Sequence, residues 1–102
     1  MKESYIYILT NKNRTVFYTG VTANLSARMS SHLEGNGSVF CKKYNIRELI
    51  YYELFMDITD AIRREKEIKG WSREKKLNLV KKRNPELRDL LERGKGPSVR
   101  SG

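Results

Sequence analysis

Two apolar, aromatic runs, one opening on Tyr5-Ile6-Tyr7 and one closing on Tyr18-Thr19-Gly20, flank the polar tetrapeptide Asn11-Lys12-Asn13-Arg14. Strand-forming runs on either side of such a break read as an antiparallel hairpin. Placing Tyr7 opposite Tyr18 centres the turn on Lys12-Asn13 and sets Gly20 across from Tyr5. Opposed residues share a sheet face, so both phenols project the same way. Asn24 then supplies an N-cap, and Leu25, Met29 and Leu33 fall on one stripe of the helix that follows. Arg28 and His32, four apart, are neighbours on its surface. Two phenols, a guanidinium and the chain's single histidine thus converge within one β-β-α unit. That grouping has the shape of a site.

At 102 residues the chain is long enough for one domain with a modest core. Lys and Arg number 21 against 12 Asp and Glu, giving a net charge of +9. Two readings of that excess stay open: a polyanionic partner held through counterion release, or a generally basic, soluble surface. Cys41 is the only cysteine, which excludes a disulfide framework and a cysteine metal site and suits a reduced structural thiol in a cytoplasmic protein. Tyr5 to Leu9 is too short for the apolar core of a signal peptide, and no apolar run approaches membrane-spanning length.

Further along, Gly35-Asn36-Gly37-Ser38 marks the end of the first helix. Val39 to Asn45 reads as a short helical or irregular connection, with Phe40 and Tyr44 four apart and Lys42-Lys43 between them. Arg47 to Met56 is dense in β-formers and is expected to be the third strand, apolar on both faces and so central in the sheet. Asp57 and Thr59-Asp60 cap a helix running to about Lys69, closed by Gly70. Ser72 opens another, through about Arg83, carrying Leu77 and Val80. Asn84-Pro85 stops it, and Pro85 suits the first position of a last short helix with Leu87, Leu90 and Leu91. The expected fold class is α/β: a small, mainly antiparallel three-stranded sheet flanked by helices. Residues 1–93 form the one domain, and residues 94–102, made of Gly, Pro, Ser, Val and basic residues, a disordered basic tail.

In the helix from Ile58, the positions three and four from Glu65 include Ala61, Ile62 and Ile68, which places this carboxylate on the apolar stripe. An inward carboxylate is costly unless it is paired or bound to a cation. The plainer alternative is a stripe-edge Glu that reaches solvent or bonds a tyrosine hydroxyl. Lys12, Arg14, Lys42, Lys43, Arg63, Arg64 and Lys69 are candidates for contact with backbone phosphates, although charges in such runs are commonly only solvated. The missing side chain of Gly20 lets the strand end lie against a helix or a phosphate. Trp71 reads as a core plug between the two later helices.

In Tyr5-Ile6-Tyr7, Tyr18-Thr19-Gly20, Arg28 and His32, in that order, the chain resembles the GIY-YIG nuclease domain from about Ser4 to Leu91. Ala61-Ile62-Arg63-Arg64-Glu65, Lys69-Gly70-Trp71 and Asn84-Pro85 resemble the small standalone bacterial members, relatives of the nuclease domain of the excision-repair nuclease subunit. It departs from the pattern where Tyr5 replaces a glycine, Thr19 an isoleucine and Val21 the lysine of the excision-repair subunit.

The resemblance implies a divalent-metal-dependent endonuclease that hydrolyses phosphodiester bonds in DNA, with a link to DNA repair. It also implies a single Mg²⁺ or Mn²⁺ site at Glu65, activation of the attacking water by Tyr7 with His32, and transition-state stabilisation by Arg28. Tyr18 would orient a phosphate or the water, and Asn84 would support the site, although a capping role before Pro85 explains it equally well. A phenol of pKa ~10 is a poor base unless a neighbour lowers it. Low sequence specificity is expected because no reader module is appended. The competing reading is a non-catalytic nucleic-acid-binding module that uses the same basic face, with the tyrosines as stacking groups. A third is a basic domain recruited by another protein. Glu65 separates them, since a pure binder gains nothing from an acid beside its phosphate site. Sequence alone leaves open DNA against RNA, the structure cut and the oligomeric state.

Overall fold

The structure, a computed structural model, describes residues 3–32, 34 and 38–91. Leu33, Gly35-Asn36-Gly37 and the tail therefore lie outside the described residues. In chain order the elements are β1 (Ser4–Thr10), β2 (Phe17–Thr22), α1 (Leu25–Ser31), α2 (Val39–Lys43), β3 (Glu48–Phe55), α3 (Ile58–Lys69) and α4 (Arg73–Lys81). The strands form an antiparallel sheet in the order β2-β1-β3. The expected α/β class, a small antiparallel sheet with helices around it, is the fold observed.

The central strand is β1, not β3 as expected. Every residue of β1 but Tyr5 is buried, whereas Tyr52 and Leu54 in the second half of β3 are 42% and 50% exposed. A bulge explains why β3 reads as apolar on both faces. Ile8 pairs with Tyr51 and Leu9 with Leu49, so Ile50 is an inserted residue. Ile50 and Tyr51 then join Ile6 and Ile8 in a core with Ala61 and Ile68 of α3 and Val80 of α4. Leu49 joins Tyr7 and Leu9 in a second core with Met29 of α1, Cys41 of α2 and Ile46. Each buried aliphatic side chain contributes about 1.5–3 kcal/mol by leaving water. Thr19, on the strand beside these cores, buries a hydroxyl oxygen that has no hydrogen-bond partner.

The hairpin register is two residues away from the expected one: Tyr7 faces Gly20, Tyr5 faces Thr22 and Leu9 faces Tyr18. A tight turn does centre on Lys12-Asn13, with Arg14 N–H donating to the Asn11 carbonyl (3.0 Å), and the rest of the connection is organised by the side chain of Asn11. Its Oδ1 accepts from the backbone N–H of Thr15 (2.8 Å) and Val16 (3.1 Å), and its Nδ2 donates to Thr15 Oγ1 (2.7 Å). Arg14 completes the turn in the left-handed region at φ 58°. Because the slip is even, Tyr7 and Tyr18 still share a face.

The helix caps follow the sequence. Asn24, Asp57 and Ser72 accept from the N–H of Ala27, Thr59 and Lys75, respectively. Ile62, expected to point inward, is 38% exposed. The helix expected after Pro85 does not form. The segment turns instead, with Leu87 at φ 53° and its carbonyl held by Arg14 at 2.7 and 3.2 Å. Leu90 N–H then bonds the Leu49 carbonyl (2.7 Å), covering part of the β3 edge.

Candidate active site

Because Gly20 stands directly across from Tyr7, it is the berth of the Tyr7 ring. A Cβ on Gly20 would lie 2.5 Å from Tyr7 Cζ and 2.9 Å from Cε1, and closer still to the hydroxyl oxygen. The glycine thus makes room for a phenol of its own sheet, not for a helix or a phosphate as expected. The Tyr18 ring sits diagonally, its centroid 6.5 Å from that of Tyr7 with the planes at 38°.

Burial pushes the Tyr7 hydroxyl up to about 12. The Tyr18 hydroxyl adds to the rise, Arg28 pulls against it, and Cys41 and Glu65 push further. Side chains from β2, α1, α2 and α3 therefore act on one phenol. At neutral pH that phenol keeps its proton and is a donor; acting as a base requires a further cation nearby.

Arg28 is exposed in the last turn of α1. His32, at the end of the same helix, places Nε2 2.6 Å from the Ile46 carbonyl oxygen. A carbonyl only accepts, so Nε2 carries a proton, and Nδ1 is the acceptor of the neutral ring. Glu65 is 9% exposed on α3, and its carboxylate meets Lys69 Nζ at 2.5 Å. Among the described residues there is no group of three or more His, Cys, Asp or Glu side chains able to hold a metal. One buried carboxylate completed by waters and a substrate phosphate suits Mg²⁺ or Mn²⁺ and does not suit a zinc site.

Asn84 is buried and fully engaged: Nδ2 donates to the carbonyls of Ile50 (3.0 Å) and Arg88 (2.9 Å), and Oδ1 accepts from Arg88 N–H (3.0 Å). It clamps the turn after α4 to β3, and among the described residues no helix follows for it to cap. Arg14 pairs with Glu48 (2.7 Å) as well as with Leu87, and Arg64 grips Glu53 through two nitrogens at 3.0 and 3.1 Å. Both guanidinium groups are engaged within the fold. Lys12, Lys42, Lys43 and Arg63 are exposed, Arg63 beside Asp60, while Lys69 is held at Glu65. Trp71 packs at the edge of the α3–α4 core, with the Arg64 guanidinium and Lys75 ammonium over its ring.

An open groove of about 1160 Å³ runs beside α1, lined by residues that include Tyr5, Leu25, Met29, Tyr52 and Met56. Its lining includes none of Tyr7, Tyr18, Arg28, His32 or Glu65. Sequence reasoning missed the contribution of α2. The Phe40 ring lies 6.2 Å from Tyr18 and 4.9 Å from Tyr44, so it extends the aromatic cluster outward. The i,i+4 spacing of Phe40 and Tyr44 was the available signal.

A two-strand hairpin bearing paired tyrosines, followed by a helix carrying Arg and His and a later helix carrying a buried Glu, defines a class. The family model described as the GIY-YIG catalytic domain matches residues 3–78, and the chain belongs to this family. It is similar to the UPF0213 protein SH2523 of Staphylococcus haemolyticus, 39% identical over 83 residues that cover 81% of this chain and all of that one. UPF0213 proteins of Staphylococcus aureus are 34% identical over the same lengths. The solution NMR structure of the UPF0213 protein BH0048 from Bacillus halodurans superposes with a TM-score of 0.56 at 30% identity, covering 85% of this chain and 92% of that one. Among the described residues, no helix is long and apolar enough to cross a membrane.

Proposed function

We propose that this protein is a phosphodiesterase that cleaves nucleic acid, with DNA the expected polymer, at the cluster around Tyr7. The observation that carries this reading is the convergence of Tyr18, Arg28 and Glu65 on one phenol within a fold of the GIY-YIG family. Arg28, exposed and planar, would meet the extra negative charge of a pentacoordinate phosphate with a bidentate fork. Tyr7, kept protonated by burial, would donate its O–H to a phosphate oxygen or to the attacking water. His32, fixed by Ile46, would take the proton of that water at Nδ1, directly or through the Tyr7 hydroxyl. Tyr18 would orient the phosphate. Glu65 would hold a divalent ion, Mg²⁺ or Mn²⁺, which supplies Lewis acidity and charge neutralisation at the leaving oxygen when bound.

The test is incubation with labelled single-stranded, duplex and branched DNA, each with Mg²⁺, with Mn²⁺ and with chelator. Cleavage that needs the metal is expected, and its absence on every substrate sinks the proposal. A second reading, binding without turnover, is favoured by one observation: Lys69 already neutralises Glu65. It predicts salt-sensitive binding with no product in any of those reactions.

A further inference from the structure

We propose that Tyr18, Phe40 and Tyr44 form a stacking track for unpaired nucleobases next to the scissile phosphate. This makes single-stranded nucleic acid the substrate class, and it rests on reading the Tyr7 cluster as a phosphodiesterase site. Helix α2 is built the wrong way round for a core helix. Its buried residue is the small Cys41, while Phe40 and Tyr44 stand 43% and 42% exposed on the outside. Burying either ring would bring far more apolar area out of water than burying a cysteine does. Packing alone therefore gives no reason for two rings to line up outward.

The rings form a continuous path away from the site. Centroid separations run 6.5 Å from Tyr7 to Tyr18, 6.2 Å from Tyr18 to Phe40 and 4.9 Å from Phe40 to Tyr44. Cations accompany them: Lys42 and Lys43 are exposed in the same helix, and Lys43 Nζ lies 5.5 Å from the centre of the Tyr44 ring. Rings for base faces interleaved with ammonium groups for phosphates match a single strand in both chemistry and charge. Paired bases are already stacked on one another and cannot offer their faces to such a track. Stacking also leaves both base identity and sugar unread.

Fluorescence anisotropy in the presence of chelator tests this without cleavage, using labelled oligothymidylate, oligouridylate and a DNA duplex of equal length. The wild-type protein is expected to bind the unpaired strands more tightly than the duplex. Phe40→Leu and Tyr44→Leu keep apolar bulk and remove the ring, and each should reduce the single-strand to duplex affinity ratio by about tenfold. Phe40→Trp should hold the ratio. Circular dichroism reports whether each variant folds, and Tyr44→Leu, at the outer end of the track, carries the test if Phe40→Leu does not. A loss on both unpaired polymers supports stacking indifferent to the sugar, and a loss on one identifies which polymer occupies the track. An unchanged ratio in a folded leucine variant, or wild-type binding that does not prefer unpaired strands, overturns the track. Ring-dependent binding with no cleavage in metal would sink the phosphodiesterase reading alone.

Discussion

Two clusters that each contain tyrosine, glutamate and arginine are centred on phenols that point to opposite faces of the sheet. Around Tyr51 every group is joined. The Tyr51 hydroxyl donates to Glu53, Arg64 grips the same carboxylate with two nitrogens, and a third nitrogen of Arg64 reaches Glu67 at 2.9 Å. Burial works against the Glu53 charge, but the Arg64 and Tyr51 hydrogen bonds prevail and hold this carboxyl below its ordinary range. Around Tyr7 the groups act on one another through space, and no side-chain hydrogen bond joins Tyr7 to Arg28 or Glu65. A closed set uses its donors and acceptors on the fold itself. In the open set Glu65 is paired with Lys69, while Tyr7 and Arg28 keep their side-chain donors for something other than the fold. On the proposed reading, the difference separates a staple from a site.

The largest effects are expected from exchanging the two arginines' fates. Arg28→Ala should lower cleavage by about 10²–10³-fold, as removal of one transition-state donor commonly does, with the melting temperature unchanged. Arg28→Lys keeps the charge, loses the fork and should not restore the rate. Arg64→Ala should act the other way. It strands the largely buried Glu53, lowers stability by about 2–3 kcal/mol and leaves the folded fraction competent. A stable but inactive Arg64→Ala protein would place that arginine in the site and erase the distinction.

The carboxylates sharpen it. Glu65→Gln should remove metal-dependent cleavage and leave nucleic-acid binding equal or tighter, because a repulsive charge beside the phosphate is gone. Lys69, 52% exposed, is then solvated at little cost, so stability should not fall. Glu53→Gln should destabilise, and it should flatten the acid limb of stability. A depressed carboxyl stabilises above its unfolded pKa of ~4.3 and loses that contribution as pH falls through the folded value. Denaturant melts across the acid range together with cleavage assays decide both. A folded Glu65→Gln protein that cuts in Mg²⁺ at the wild-type rate removes Glu65 from the site.

Local chemistry made much of this readable. Alternating aromatics gave the hairpin, Asn24, Asp57 and Ser72 gave the helix starts, and the spacing from Ala61 to Ile68 gave the inward Glu65. What the sequence concealed was long-range. Nothing near β3 tells that its edge is covered by Leu90 or that a bulge turns Ile50 and Tyr51 to one face. Asn84 reads as a cap because Pro85 follows it, yet its partner Ile50 is 34 positions away. Arg14 and Arg64 look like free surface charges until Leu87, Glu48 and Glu53 are folded against them. The register missed by two residues because a left-handed arginine is not a turn signal that composition gives.

A smaller effect separates the glycines that border the two regions. Gly20→Ala drives a Cβ into the Tyr7 phenol, so it should cost about 1–3 kcal/mol and displace the ring. A displacement near 1 Å would lower cleavage by up to about 10²-fold. Gly70, at φ −83° after α3, would place its Cβ no nearer than 3.6 Å to the Glu67 carbonyl oxygen. Gly70→Ala should fold and cut like the wild type. Activity assays and thermal melts on the pair compare a berth with an ordinary helix end.

The smallest expected effect is alkaline. Burial pushes both Tyr7 and Tyr51 up to about 12, with Tyr18 the next contributor at the first and the Glu53 hydrogen bond at the second. A folded pKa above the unfolded value of ~10 leaves stability complete below about pH 10, and it is lost as pH rises from there through the folded pKa. Tyr7→Phe and Tyr51→Phe should therefore each flatten the alkaline limb of a urea-unfolding series. They should differ at neutral pH. Tyr51→Phe also deprives Glu53 of a donor, which costs about 1.5–3 kcal/mol for a hydrogen bond to a charged group. Tyr7→Phe has no such side-chain bond to lose, so its neutral-pH stability should stay within about 0.5 kcal/mol of wild type while cleavage falls. If Tyr7→Phe loses as much neutral-pH stability as Tyr51→Phe, the Tyr7 hydroxyl is holding the fold together, and the open cluster is a second staple.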